Sequence, residues 1–204
     1  MSFYARHILP PLLHLAMRQK VLLPFRRQTV AAASGRVLEI GIGSGINLPL
    51  YAPPVRVVIG LEPSAELRRM AARRAATAPL PVELVDGSAE ALPLADASID
   101  TVVTTWTLCS VGDAARALAE LRRVLRPGGS LLFAEHGRAP EPSVARWQDR
   151  LDPLWGRCAG GCHLNRKMDD LIAAAGFRID VLENARLPGP RMVGYLYQGR
   201  ARPA

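Results

Sequence analysis

From Gly35 onward, short runs of apolar and β-branched residues alternate with stretches whose apolar positions recur at helical spacing. Arg36–Ile40, Val55–Leu61, Val82–Val85, Ile99–Thr104 and Ser130–Ala134 have the length and composition of buried strands. Ala65–Ala76 and Ala114–Leu125 fill two of the intervals as helices. The second repeats Leu118, Leu121, Val124 and Leu125 on one face and stops at Arg126-Pro127-Gly128-Gly129. Lys167–Ala175 is a third helix, closed by Gly176. Alternation at this spacing predicts parallel βαβ units with right-handed crossovers, in a doubly wound α/β sheet. Arg178–Leu182 and Met192–Gln198 follow as strands with only a loop between them, which predicts an antiparallel hairpin at one edge of a mostly parallel sheet. No internal repeat or low-complexity linker interrupts the chain. Residues 1–204 are therefore expected to form one domain, with a helical N-terminal segment (1–34) and a core (35–204).

Before Gly35 the pattern differs. Phe3–Phe25 is rich in Leu, Ile and Met, but Arg6, Arg18 and Lys20 interrupt it and Pro10, Pro11 and Pro24 break it. No uninterrupted run approaches the ~18–20 apolar residues needed to span a bilayer, and the ordered regions of a signal peptide are missing. Leu12, Leu13, Leu15, Ala16 and Leu22 read as one apolar face, with Arg18, Lys20, Arg26 and Arg27 at its rim. Two readings follow: a helix packed over the domain as a lid, or a basic amphipathic segment making peripheral membrane contact through residues 3–27.

Composition changes this picture little. With 204 residues, 49% hydrophobic and 22% charged, the chain has the make-up of a soluble globular protein. Its net charge of +8 invites a nucleic-acid partner. Arginine carries nearly all of it, since Lys20 and Lys167 are the only lysines, and Arg68, Arg69, Arg73 and Arg74 read as a solvated helix face. Aromatics are sparse and not interleaved with the basic residues, so no nucleic acid is expected. Three cysteines without a secretory signal point to a reducing, cytoplasmic setting. Cys158-x3-Cys162-His163 has the outward look of a metal site, but no second ligand pair stands elsewhere at zinc spacing, so no metal is expected. The sequence specifies no oligomeric state.

The chemistry gathers at the strand ends. Val37-Leu38-Glu39-Ile40-Gly41-Ile42-Gly43-Ser44-Gly45-Ile46-Asn47 runs an apolar strand into three alternate glycines. Such glycines let a backbone turn sharply and approach a ligand that a Cβ would exclude. G-x-G-x-G differs by one residue from the dinucleotide pattern, which indicates a nucleoside cofactor without a pyrophosphate. Glu62-Pro63 ends the second strand, about 20 residues past the first glycine, where a carboxylate can accept both ribose hydroxyls. Asp86-Gly87-Ser88-Ala89-Glu90 follows the third strand and can frame an adenine. Glu39 either positions the loop or meets a cationic ligand group; Asn47 caps the loop or contacts the cofactor; Thr105 opens the strand-end stretch Thr105–Ser110, and Pro63 and Thr105 are counted with the cofactor-binding residues.

Taken together, Glu39-x-Gly41-x-Gly43-x-Gly45, Glu62, Asp86-Gly87-Ser88-Ala89-Glu90-Ala91-Leu92-Pro93 and Leu125-Arg126-Pro127-Gly128-Gly129 resemble the class I S-adenosylmethionine-dependent methyltransferases. The resemblance covers about Arg36–Glu135 and implies a Rossmann-like methyltransferase sheet with S-adenosyl-L-methionine as cofactor. It places Gly41, Gly43 and Gly45 along the methionine side, Glu62 on the ribose and Ser88-Ala89 beside the adenine. Many relatives carry an acidic residue where Ser88 stands, so here the adenine contact falls to Ser88 or to backbone. A narrower set resembles the methyltransferase-like protein 7 group: Thr107-Leu108-Cys109-Ser110-Val111, Phe133-Ala134-Glu135-His136, Trp147-Gln148-x3-Asp152-Pro153-x-Trp155, Gly161-Cys162-x-Leu164-x-Arg166 and Gly194-Tyr195. Animal members of that group are membrane-associated and methylate small alkyl thiols.

That likeness implies a small apolar acceptor, with a thiol favoured. A thiolate is the attacking form. His136 is the candidate catalytic base, by its pKa class and its position after a strand, although proximity alone can suffice for a thiol. Cys109, Trp106, Trp147 and Trp155 are the candidate acceptor-site residues, with His163 and Arg166 at the lid. The alternatives are N- or C-methylation of a lipid or quinone, methylation of RNA, and a non-catalytic cofactor-binding partner of another protein.

Overall fold

The computed structural model describes residues 3–204, the side chains of residues 5 and 6 excepted, so Arg6 of the first apolar run lies outside the described side chains. Seven strands form one sheet in the order β3-β2-β1-β4-β5-β7-β6. They are β1 (Gly35–Ile40), β2 (Val55–Leu61), β3 (Val82–Val85), β4 (Ile99–Thr105), β5 (Leu125–His136), β6 (Phe177–Arg186) and β7 (Tyr195–Pro203). Strands β1 to β5 pair in parallel, while β7 runs antiparallel to both β5 and β6. The chain steps outward from β1 to β3 and returns to β4, so the strand order reverses beside β1, where a crevice opens beyond the strands' carboxyl ends.

Alternate side chains leave the sheet on opposite faces, and both faces are covered. Leu38, Ile40, Val102, Leu131 and Phe133 pack with Leu118 and Leu121 of α4 (Ala114–Val124) and Ile172 of α6 (Met168–Ala174). Val37, Val58, Val103 and Leu132 pack on the other side with Val30 of α2 (Leu23–Ala31) and Ala71 of α3 (Ala65–Ala75). Double burial is why the central strands read as continuous apolar runs. Ser64 and Asp113 cap α3 and α4 by accepting from the Leu67 and Arg116 amides.

Three departures from the sequence pattern have physical causes. Strand β5 begins at Leu125, directly after α4, because Leu125 pairs with Ile99 before the Pro127-Gly128-Gly129 excursion and Ser130 resumes the ladder opposite Thr101. Strand β7 runs to Pro203, past the expected Gln198, because it is flanked on both sides and pairs throughout. Helix α5 (Pro142–Cys158) has no leucine-rich repeat; its buried residues are Val144, Ala145 and Gln148. Gln148 accepts from the Ala139 amide and donates to the Gly137 and Met192 carbonyls, fastening α5 to the loop after β5.

The N-terminal segment does not present the single apolar face expected. Helix α1 (Leu9–Met17) ends before Gln19, and a 3-10 turn at Lys20–Leu22 resets the direction before α2. Leu22 is buried, whereas Leu12 and Leu15 are exposed. Arg18, Lys20 and Arg27 are exposed as the rim reading requires, but Arg26 is buried. Among the described residues no helix is long and apolar enough to cross a membrane.

Candidate functional site

The turn after β1 carries positive φ at Gly41, Gly43 and Gly45. A Cβ on Gly41 would collide with Thr107, which shows how closely this loop abuts the one after β4. On Gly43 the same atom would meet only open space, its nearest neighbour being the Gly41 carbonyl at 3.8 Å. The loop thus leaves an uncovered cradle at Gly43, backed by protein at Gly41.

Glu62, at the end of β2, points into this turn. Its Oε2 accepts from the Gly43 amide at 3.0 Å and its Oε1 from the Ser64 amide at 2.9 Å. Burial pushes its carboxyl above the usual range, and the two amides and Arg68 oppose that shift. Pro63 and Ser88 are exposed and Ala89 is buried. The Ser88 hydroxyl accepts from the Glu90 amide at 3.2 Å, which closes the turn after β3.

Glu39 is fully committed within the protein. It accepts from Asn47 Nδ2 at 2.7 Å and the Tyr51 hydroxyl at 2.9 Å. Burial pushes its pKa up to about 7 against the pull of these bonds and Arg26. Of its two expected roles, positioning the loop is the one this geometry matches. Asn47 is the hub, donating also to Thr105 Oγ1 at 3.1 Å and accepting from Arg26 at 3.0 Å. Arg26, only 5% exposed, donates to Thr105 as well, and its guanidinium lies 4.8 Å from the centre of the Trp106 ring. Among the described residues its Nε has no partner and no carboxylate lies within salt-bridge distance of it. Trp106 has a left-handed backbone (φ 53°), a conformation rare outside glycine and concentrated at functional sites. His14 of α1 meets Ser44 Oγ at 2.6 Å, so the N-terminal segment lies over the glycine loop as a lid would.

On the other side of Thr107, the loop after β4 meets the end of β5. His136 is only 7% exposed, and its Nε2 lies 2.8 Å from Cys162 Sγ. Burial pulls its pKa down to about 4. The imidazole is thus enclosed by protein and turned to a cysteine. Cys162 Sγ lies 3.6 Å from Cys109 Sγ; this contact raises the Cys109 thiol, with burial adding to it, and lowers that of Cys162. Trp155, on the last turn of α5 ahead of the loop that carries Cys162, is 37% exposed. Trp147 is 54% exposed on α5, with the Arg150 guanidinium over its ring. The Cys158–Cys162–His163 grouping does not assemble: Cys158 is exposed and His163 pairs with Asp152 at 2.8 Å. Arg166 donates to the Leu108 and Gly112 carbonyls and clamps the loop.

Residues 38–133 match the family described as methyltransferase domain. The chain is 37% identical over 185 residues to thiol S-methyltransferase TMT1B of Homo sapiens, covering 81% of this chain and 72% of that protein. It is 36% identical over 154 residues to a phosphatidylethanolamine N-methyltransferase of Cereibacter sphaeroides, covering 62% of this chain and 68% of the relative. Among solved structures it is similar to an S-adenosylmethionine-dependent methyltransferase of Thermotoga maritima, with a TM-score of 0.69, 26% identity, and coverage of 98% of this chain and 100% of that one. This chain belongs to the S-adenosylmethionine-dependent methyltransferases.

The site of this methyltransferase fits its cofactor on three counts: an open cradle at Gly43, a carboxylate at the end of the next strand, and a buried guanidinium without a counter-ion. Three site residues have no site role assigned from the sequence. Arg26 read as a surface cation. Tyr51 stands in an unremarkable stretch. Glu135, within an apolar strand, accepts from the Thr104 hydroxyl and the Thr107 and Cys109 amides, and it shapes the loop after β4. Only Glu135 left a signal, as a lone acidic residue in a run otherwise suited to burial.

Proposed function

We propose that this methyltransferase transfers its methyl group to the sulfur of a small apolar thiol. When bound, S-adenosylmethionine supplies an electrophilic methyl on a sulfonium. Gly41, Gly43 and Gly45 line its methionine end, Glu62 takes the ribose hydroxyls, and Ser88 and Ala89 border the adenine with Pro63 alongside. Glu39, Asn47 and Thr105 hold the loop that does this, and Arg26 meets the methionine carboxylate. Transfer requires the acceptor sulfur about 3 Å from the methyl and in line with the departing sulfur, a constraint served by a rigid loop after β4. The observation that carries the thiol reading is the chemistry beyond β4 and β5. Cys109 and Cys162 bring two soft sulfurs together behind the loop after β4, and Glu135 spends its oxygens on the protein's own donors instead of an amine.

With methyl-labelled cofactor, and with small alkyl thiols and a lipid extract containing quinones in parallel, label is expected in a methyl thioether. Label confined to the lipid fraction would replace this reading with lipid or quinone methylation. Cofactor binding without turnover on either would make the chain a non-catalytic binding partner.

The N-terminal segment supports a second element of the proposal, a peripheral membrane contact in a reducing compartment. Phe3, Ile8, Leu12 and Leu15 are exposed on this segment, and Leu154 and Trp147 on α5. The two elements touch, as the Tyr4 hydroxyl donates to the Cys158 carbonyl at 2.7 Å. Exposed Arg18, Lys20, Arg150 and Arg157 belong to the same two stretches. Such a surface delivers an apolar acceptor from the bilayer to a site beneath the lid. The protein is expected to float with vesicles containing anionic lipid, and a Leu12→Glu/Leu15→Glu variant to remain in solution. Wild-type protein that stays in solution would leave the segment as a lid alone.

A further inference from the structure

Cys109, His136 and Cys162 come from three separate parts of the chain: the loop after β4, the end of β5 and the loop after α5. All three are buried, and their Sγ, Nε2 and Sγ atoms lie within 4.8 Å of one another. Tetrahedral zinc, with Zn–S near 2.3 Å and Zn–N near 2.0–2.1 Å, holds its ligand atoms roughly 3.5–3.8 Å apart. The two sulfurs already stand at 3.6 Å. The imidazole, at 2.8 Å from Cys162, needs to withdraw by less than about 1 Å to reach that spacing. Among the described residues, these two thiols and the imidazole are turned on one another away from water, with only the Ser110 hydroxyl, 3.6 Å from Cys109 Sγ, beside them.

We propose that Cys109, Cys162 and His136 hold a zinc-class divalent cation whose fourth position takes the acceptor's sulfur. The proposal rests on the thiol reading above and deepens it. Two thiolates and an imidazole are a soft set that selects zinc, and three protein ligands with one open position is the arrangement of reactive zinc centres. The placement suits the reaction. Thr107, two residues before Cys109, is the side chain that a Cβ on Gly41 would strike, so the cluster's loop adjoins the cofactor cradle. Trp155, 37% exposed, closes the helix that leads into the loop carrying Cys162.

The step balances without an oxidant or reductant. The acceptor thiol gives its proton to solvent on coordination. A sulfur lone pair then forms the new S–C bond as the sulfonium C–S bond breaks, and that bond's electrons stay on the cofactor's sulfur. Both products are neutral thioethers, and the methylated acceptor, a poorer ligand than its thiolate, leaves the cation. This assigns to the cation the activation that the sequence pattern suggested for a histidine base.

The test is titration of the intact, reduced, metal-stripped protein with Co²⁺ alone, followed by visible spectroscopy. One equivalent is expected to bind with thiolate-to-cobalt charge-transfer absorption and tetrahedral bands. Cys158→Ser, at the exposed cysteine, is expected to keep both, and Cys109→Ser or Cys162→Ser to lose intensity. A small alkyl thiol added to the cobalt form is expected to shift the bands. Because the buried variants can fail to fold, the wild-type titration decides: no charge-transfer absorption overturns the site, and a spectrum indifferent to thiol overturns the open fourth position. Undiminished thiol methylation by the metal-stripped protein would overturn this proposal and leave the thiol reading standing. Tight cobalt binding with methyl transfer only to lipid would remove the thiol reading and, with it, the acceptor role of the cation.

Discussion

Gly43→Val is expected to weaken S-adenosylmethionine binding by a hundredfold or more while the protein still folds. Two effects have to be separated. A β-branched residue at φ 57° carries backbone strain on the order of 1–3 kcal/mol, which a domain stable by about 5–15 kcal/mol survives. The side chain itself strikes nothing in the protein, since only the Gly41 carbonyl comes within 4 Å of the new Cβ. Its atoms occupy the space the cofactor must enter, and a hundredfold loss corresponds to about 2.7 kcal/mol. Gly128→Val is the control. It has φ 80° and no atom within 4 Å of its Cβ, but lies in the excursion near the start of β5, at the opposite end of the sheet. Calorimetric titration with the cofactor should find Gly128→Val close to wild type and Gly43→Val nearly silent. Equal affinities in the two variants would mean that the cradle is elsewhere.

Arg26→Met is expected to lower cofactor affinity by about 10- to 100-fold with no loss of thermal stability. A buried guanidinium costs several kcal/mol to desolvate unless a counter-charge repays it. Among the described residues Arg26 has only neutral direct partners, the Met17 carbonyl, Asn47, Thr105 and the Trp106 face, while Glu39 and Glu135 act on it through space and are themselves pushed toward their neutral forms. The missing partner is an anion, and the amino-acid carboxylate of the cofactor supplies one at the glycine loop. Methionine keeps the apolar bulk and removes the unpaired charge, so the unliganded protein should melt at the same temperature or higher. A lower melting temperature with unchanged affinity would make Arg26 a structural prop for the lid.

The parts of this site that could be read from sequence are those made locally. The glycine turn and Glu62 each follow directly from the strand they end, and the doubly buried strands β1, β2 and β4 announce themselves as apolar runs. Helix α5 did not, because its buried face is Val144, Ala145 and Gln148 and Pro153 lies within it. Arg26 escaped notice because its burial depends on how α2 packs across β4, β5 and β7, which helical periodicity alone does not encode. Cys162 was misleading for a related reason. Its sequence neighbours Cys158 and His163 look like its partners, whereas the loops after β4 and α5 bring it to Cys109 and His136.

Methyl transfer to sulfur is read from the mass of the product. Purified protein would be incubated with cofactor carrying a deuterated methyl group and a small alkyl thiol, and both products would be quantified by mass spectrometry. The expected result is a deuterated methyl thioether formed in one-to-one ratio with S-adenosylhomocysteine, and its loss in Gly43→Val. S-adenosylhomocysteine formed only when lipid replaces the thiol, with no methyl thioether at any thiol concentration, would contradict it.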